Sequence, residues 1–127
     1  MQTFLFISIG AVLGANARYW FTNWAAHRWA GEFPIGTALI NLSGSFLLGF
    51  LLAMAAERLE INERLAALLI VGFLGSYTTF STYTIDSVQM MLNGRWTLGL
   101  ANLIGGALIG GLAAVSGVYL GQLVPAS

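Results

Sequence analysis

The chain has 127 residues, 57% of them hydrophobic and only 8% charged, with five basic and five acidic side chains. A soluble domain carries roughly 25% charged residues, so so few charges cannot cover a water-facing surface, and lipid must solvate most of the chain. Lys and Cys are both absent and no block of like charge occurs. That excludes disulfides, thiolate metal sites and Cys nucleophiles, and argues against nucleic acid as a partner, because phosphate binding needs clustered basic residues.

The first apolar stretch covers residues 3–24. A secretory signal needs a basic region before its apolar run, whereas the first basic residue here is Arg18, so the run reads as a mature membrane segment. Its far end carries Tyr19, Trp20, Trp24, His27, Arg28 and Trp29, the aromatic and basic pattern of a membrane interface. Gly31, Glu32, Phe33 and Pro34 form the first loop. Residues 35–56 make the second stretch, about 33 Å long as a helix and enough to cross a hydrocarbon core. The second loop is the most polar part, with Glu57, Arg58, Glu60, Asn62, Glu63 and Arg64. The third stretch, residues 65–92, turns at Asn93-Gly94, and the fourth, residues 96–123, stops before Pro125. The expected fold is all-α and integral to the membrane, a single transmembrane domain of four helices with almost no soluble part.

Basic residues in short loops set orientation. Arg58 and Arg64 fall on the side of the termini and second loop, and Arg28 and Arg95 on the other, which leaves almost no bias. A chain that inserts both ways up can pair with its inverted copy, the two-chain counterpart of an inverted repeat. Glycine is abundant at 16 residues, about twice the usual share. In the fourth stretch Asn102, Gly106, Gly110 and Ala114 share one face. Small faces let helices approach closely in lipid, and helix packing is the ordinary reading. The sharper alternative is that the face borders a pore.

The third stretch holds the polar content that packing does not explain. From Ser76 to Thr84, eight of nine side chains carry a hydroxyl, Phe80 being the exception. Every polar group at membrane depth needs a partner, and bonds back to a helix's own carbonyls satisfy only a few such residues. Gly72 and Gly75, followed by the β-branched Thr78 and Thr79, also weaken the helix. The pattern predicts a discontinuous helix near residues 75–78, whose freed carbonyls suit a cation such as Na⁺ and whose freed N–H groups suit an anion. Phe80 and Tyr83 share a face among these hydroxyls. A ring has a positive edge, so ring edges can line an anion path without fixed charge. Packing is the plainer role for such a pair. In the second stretch Thr37, Asn41 and Ser45 form a polar stripe. Asn41 has two amide hydrogens to donate, for an interhelical bond or for a permeating anion.

Arg18 and Asp86 are the ionisable groups placed within spans, both expected nearer an end than the centre. A proton-coupled transporter needs a titratable group in its pathway, and no carboxylate is expected at mid-membrane. No acid pair, nucleophile–His–acid set or metal cluster is apparent, so an enzyme is the least supported class. His27, the only His, reads as interfacial.

At these residues the sequence resembles the small fluoride channels called Fluc, of the CrcB type, over nearly its full length. The resemblance rests on Gly14-Ala-Asn-Ala-Arg18, on Pro34-Ile-Gly-Thr37, on Asn41-Leu-Ser-Gly44 with Phe46, and on Gly72-Phe-Leu-Gly75. Thr78-Thr-Phe-Ser-Thr82 and Gly94-Arg95 complete it. The Thr78–Thr82 run is the most specific piece, and the others are strong in this order and spacing. The resemblance implies an antiparallel dual-topology homodimer with two pores, passive and selective export of F⁻ that relieves fluoride toxicity, and a location in the bacterial inner (plasma) membrane. It implies a structural Na⁺ on the dyad, held by the backbone carbonyls of Gly75 and Thr78. Asn41 then matches the pore asparagine, Phe80 the first ring of a phenylalanine box, Ser81 and Thr82 pore-lining hydroxyls, and Arg18 the first-span arginine. Two departures stand out. The second ring of the box is Tyr83, whose phenol presents either a ring edge or its O–H to the anion. The fourth-span face of Gly106, Gly110 and Ala114 is bare where family members often carry hydrogen-bonding groups.

Two rivals share the size and span count. A small dual-topology multidrug exporter needs a mid-membrane carboxylate in its first helix, and this first stretch has only Ser8, Asn16 and Arg18 as clearly polar groups. A non-transporting membrane assembly subunit, held by glycine faces, predicts association with another protein and no flux alone.

Overall fold

The computed structural model describes residues 2–57 and 61–125, except the side chain of Glu57. Arg58 and Glu60, expected in the second loop, lie outside the described residues. Four helical spans are long and apolar enough to cross a membrane: Gln2–Arg28, Ile35–Ala56, Glu63–Leu92 and Trp96–Leu123. Among the described residues there is no strand, as expected for a multi-pass membrane protein whose backbone must satisfy itself within each span. Large apolar side chains such as Phe4, Val12, Leu108, Leu112 and Val115 are mostly exposed on the outside of the bundle, where lipid replaces water.

The first two spans are continuous helices, α1 (Gln2–Arg28) and α2 (Ile35–Glu57). α1 runs on to Arg28, past the end expected near Trp24. The third span is composite. It begins with α3 (Glu63–Ala66), capped by the Asn62 side chain, which accepts from the Leu65 N–H at 2.9 Å. A π-helical segment (Ala67–Leu74) leads into the single turn α4 (Gly75–Tyr77), and α5 (Phe80–Leu92) follows. Between α4 and α5, Thr78 (φ −78°, ψ 158°) and Thr79 (φ −149°, ψ 112°) are extended. The fourth span has α6 (Trp96–Leu100), a second π-helical segment (Ala101–Gly105) and α7 (Gly106–Leu123). Gly94, with φ +80°, makes the turn between the third and fourth spans, a conformation that glycine adopts without strain.

Glycines set which spans touch. α1 packs against the first π-helical segment and α4. There a Cβ on Gly10 would lie 2.1 Å from the Leu68 carbonyl oxygen, and one on Gly14 would lie 2.2 Å from that of Phe73. α2 packs along α7, where a Cβ on Gly117 would lie 2.1 Å from the Phe46 carbonyl oxygen. Backbone contact this close supplies van der Waals packing, the main attraction between helices in lipid. Gly117 and Gly121 make close backbone contact with α2, whereas Gly110 meets α2 only at Ser45 Oγ, 3.9 Å from where a Cβ would lie. At one end of the bundle, Arg95 of the third loop forms an ion pair with Glu32 of the first, which places those two loops on the same side.

Candidate functional site

The interruption at Thr78 and Thr79 is where the polar side chains of three spans converge. The Thr78 N–H still reaches the Leu74 carbonyl at 3.1 Å, the last helical bond of the first half. The next amide turns away: the Thr79 N–H donates to Asn41 Oδ1 at 2.8 Å, and Asn41 Nδ2 donates to the Thr79 carbonyl at 2.9 Å. One side-chain amide on α2 thus takes the place of a neighbouring strand. The Thr78 carbonyl accepts from Arg18 Nη1 at 3.2 Å. The Thr79 hydroxyl caps α5, accepting from the Thr82 N–H at 3.3 Å. Buried backbone groups must be paired, and here side chains from α1 and α2 do what the helix does elsewhere. Gly44 permits the approach, since a Cβ there would sit 2.2 Å from Thr78 Cγ2.

Arg18 therefore lies deeper than its place in the sequence suggested. Its partner Thr78 is midway between Glu63 and Leu92, so the guanidinium is at the depth of the interruption and not near a span end. α1 is longer than expected at its C-terminal side, which moves Arg18 inward. Asp86 does lie toward the end of its span, where its carboxylate accepts from the Thr37 hydroxyl at 3.0 Å.

Beside the interruption is a cavity of about 690 Å³. Asn41, Ser45, Thr78, Thr79, Phe80 and Tyr83 line it from the second and third spans, and Asn102, Gly106, Gly110 and Ala114 line it from the fourth. No charged side chain lines it among the described residues. The wall combines two side-chain amides, hydroxyls, aromatic rings and a bare glycine face. Phe80 is 78% exposed, and its ring lies 6.1 Å from that of Tyr83, tilted by 47°. Tyr83 is buried instead. Its hydroxyl donates to the Leu103 carbonyl in the second π-helical segment.

The expected site residues divide into two groups. Asn41, Phe80, Tyr83, Gly75 and Thr78 all line the cavity, and Arg18 joins them through the Thr78 carbonyl. Ser81 and Thr82 are exposed on another face of α5 and are not part of that wall. Sequence reasoning offered an interhelical bond for Asn41 as one of two readings; it did not find the Arg18 contact, nor the buried chain in which Asn102 Nδ2 donates to Ser87 Oγ at 2.8 Å and Ser87 donates to the Tyr83 carbonyl at 3.0 Å. A signal existed in that case: Ser87 and Asn102 lie at matching depths on either side of the Asn93-Gly94 turn.

Among the described residues no cluster of three or more His, Cys, Asp or Glu is placed to hold a metal ion; hard cations also take backbone carbonyl oxygens. The Gly75 carbonyl loses its helical partner because the Thr79 N–H goes to Asn41, and Gly75 is exposed. The Thr78 carbonyl has a second acceptor direction beside the one Arg18 uses. These two oxygens are of the donor type that a hard monovalent cation takes.

The sequence pattern described as CrcB-like protein, Camphor Resistance (CrcB), matches residues 5–118. A protein named fluoride-specific ion channel FluC from Synechococcus sp. is 42% identical over 117 residues, covering 92% of this chain and 90% of the relative. One of the same name from Magnetococcus marinus is 40% identical, covering 93% and 96%. FluC 2 of Moorella thermoacetica is 41% identical over 126 residues, covering 99% and 98%. With the pattern matched over residues 5–118 and relatives 40–42% identical over at least nine tenths of both chains, the chain belongs to the CrcB-like family.

Proposed function

We propose that the protein is a fluoride-selective channel of the bacterial inner membrane, working as an antiparallel dual-topology homodimer that lets F⁻ leave the cell down its gradient. The observation that carries this reading is the uncharged cavity beside the helix interruption, walled by Asn41, Phe80 and Tyr83 and bare on its fourth-span side. The named relatives, fluoride-specific ion channels, point the same way. Two such cavities, one per chain, correspond to two pores.

The mechanism follows from the chemistry of the wall. F⁻ is small and strongly hydrated, so a conducting path must replace its water with donors. Asn41 uses one amide hydrogen on Thr79, and the second meets no acceptor among the described residues, so it is the donor offered to the anion. Phe80, exposed on its own chain, presents its ring edge, which is electropositive. Arg18 contributes positive potential from beside the interruption, at the depth where the anion is least hydrated. Larger halides are refused because the Asn41 brace cannot spread without breaking its bonds to Thr79, nor the Tyr83 ring without losing its bond to the Leu103 carbonyl. Ser81 and Thr82, exposed on a separate face, extend a polar track where a second chain would meet them. A structural Na⁺, held by the Gly75 and Thr78 carbonyls of both chains, would supply a fixed positive charge and a link between the two interrupted helices.

F⁻ efflux from liposomes containing the purified protein, read with a fluoride electrode beside a Cl⁻ control, tests the reading. Rapid F⁻ loss with Cl⁻ retained is the expected result. Equal release of both ions, or none from folded dimers, would overturn it.

A further inference from the structure

Tyr83 and Gly106 occupy one space. A Cβ on Gly106 would lie 2.7 Å from Tyr83 Cε2 and 3.2 Å from its hydroxyl oxygen, so a side chain at 106 and this ring position exclude each other. The ring is 8% exposed. A phenol has one hydrogen to give, and Tyr83 gives it to the Leu103 carbonyl. That carbonyl belongs to the second π-helical segment, Ala101–Gly105, a form of helix whose bonding is irregular. The Tyr83 ring also neighbours the exposed ring of Phe80, with centroids 6.1 Å apart. One turn further along α5, Ser87 connects the Tyr83 carbonyl to Asn102 of the same π-helical segment.

We propose that Tyr83 and Gly106 act as one positioning unit: the phenol, admitted by the missing side chain at 106, ties α5 to the π-helical turn of the fourth span and thereby holds Phe80 at the anion path. On this account the Tyr83 hydroxyl is not a donor to the anion. Its hydrogen is committed to Leu103, and what Tyr83 contributes to halide discrimination is the fixed spacing between α5 and the fourth span. The bare face at Gly106 and the tyrosine at 83 are then a single compensated feature. The inference rests on the fluoride-channel reading for its flux measurements, while its spectroscopic measurement is independent of that reading.

Three measurements test it, all on the purified dimer. Tyr83→Phe keeps the ring and removes the tie. Its F⁻ efflux should fall roughly fivefold, the weight of one net hydrogen bond, and its F⁻ to Cl⁻ ratio should fall as well, because the rings can now spread. Unchanged rate and unchanged ratio would refute the positioning role. Gly106→Ala should lower both quantities at least as far, and Tyr83→Phe with Gly106→Ala should fall no further than Gly106→Ala alone. Multiplying losses would show that the two residues act separately. Third, vibrational difference spectra between the wild type and Tyr83→Phe isolate the Tyr83 C–O stretch. The band should report a donating phenol and stay fixed as F⁻ is titrated. A band that moves with F⁻ and not with Cl⁻ would show the hydroxyl bonding the anion and overturn the proposal. A silent wild type with a fixed band would remove the channel reading while leaving the Tyr83–Leu103 tie in place.

Discussion

Replacing Asn41 separates its two roles, bracing the interruption and facing the anion. Asn41→Ala removes both bonds to Thr79, at 2.8 and 2.9 Å. Thr79 is 8% exposed, so its N–H and carbonyl both lose their partners in a poorly solvated place. At about 1–3 kcal/mol for each orphaned group, the cost is about 2–6 kcal/mol. Asn41→Asp retains an acceptor for the Thr79 N–H and orphans only the carbonyl, at about 1–3 kcal/mol, plus the repulsion between that carbonyl and the new oxygen. It also places a negative charge on the path. Two like charges about 4 Å apart at an effective dielectric constant near 20 repel by about 4 kcal/mol, or about three orders of magnitude in anion occupancy. The two variants are therefore separated by two assays. By thermal denaturation of the dimer in detergent, Asn41→Ala is less stable than the wild type. By F⁻ efflux at neutral pH, normalised to folded dimer, Asn41→Asp is the less active. Wild-type flux in a folded Asn41→Asp dimer would refute the pathway assignment, and wild-type stability in Asn41→Ala would refute the brace.

Three further substitutions test separate parts of the account. Phe80→Ile should cut F⁻ efflux by tenfold or more, on the order of the several kcal/mol that preorganised electrostatics can supply, while the dimer survives in size-exclusion chromatography, because the ring is 78% exposed within its own chain. An unaltered rate would reduce Phe80 to packing. Gly117→Ala should prevent stable folding, since its Cβ would lie 2.1 Å from the Phe46 carbonyl oxygen and 2.9 Å from the Phe50 nitrogen; normal yield and thermal stability would contradict the close α2–α7 contact. Glu32→Gln breaks the ion pair with Arg95, whose side chains are 58% and 42% exposed. Exposed pairs contribute about 0–1 kcal/mol, so stability should change within that range, and a larger loss in thermal denaturation would show that the pair holds the two loops together.

The four spans were legible in the sequence because their lengths, interfacial aromatics and polar loops are imposed by the bilayer itself. The polar run between Ser76 and Thr84 stood out too, because so many hydroxyls at membrane depth have few explanations. What pairs with what was not. Asn41 reads equally well as a helix–helix contact or a pore donor, and only the position of the Thr79 backbone shows that one of its two hydrogens is already used. Arg18 looked peripheral because the end of α1 could not be placed past a cluster of aromatics that marks an interface. The two π-helical segments leave no signature in apolar sequence such as Ala67–Leu74, yet the second one supplies the carbonyl that Tyr83 meets. Ser81 and Thr82 entered as pore-lining hydroxyls through the family resemblance, and within the single chain they lie outside the cavity wall.

The central claim is that an uncharged wall passes F⁻ and refuses Cl⁻ without coupling to another ion. A planar bilayer containing the protein, with opposed F⁻ and Cl⁻ gradients at equal pH, tests this directly. The account predicts a current that reverses at the F⁻ equilibrium potential and is insensitive to a proton gradient. A reversal near the Cl⁻ potential, or one that moves with pH, would contradict it.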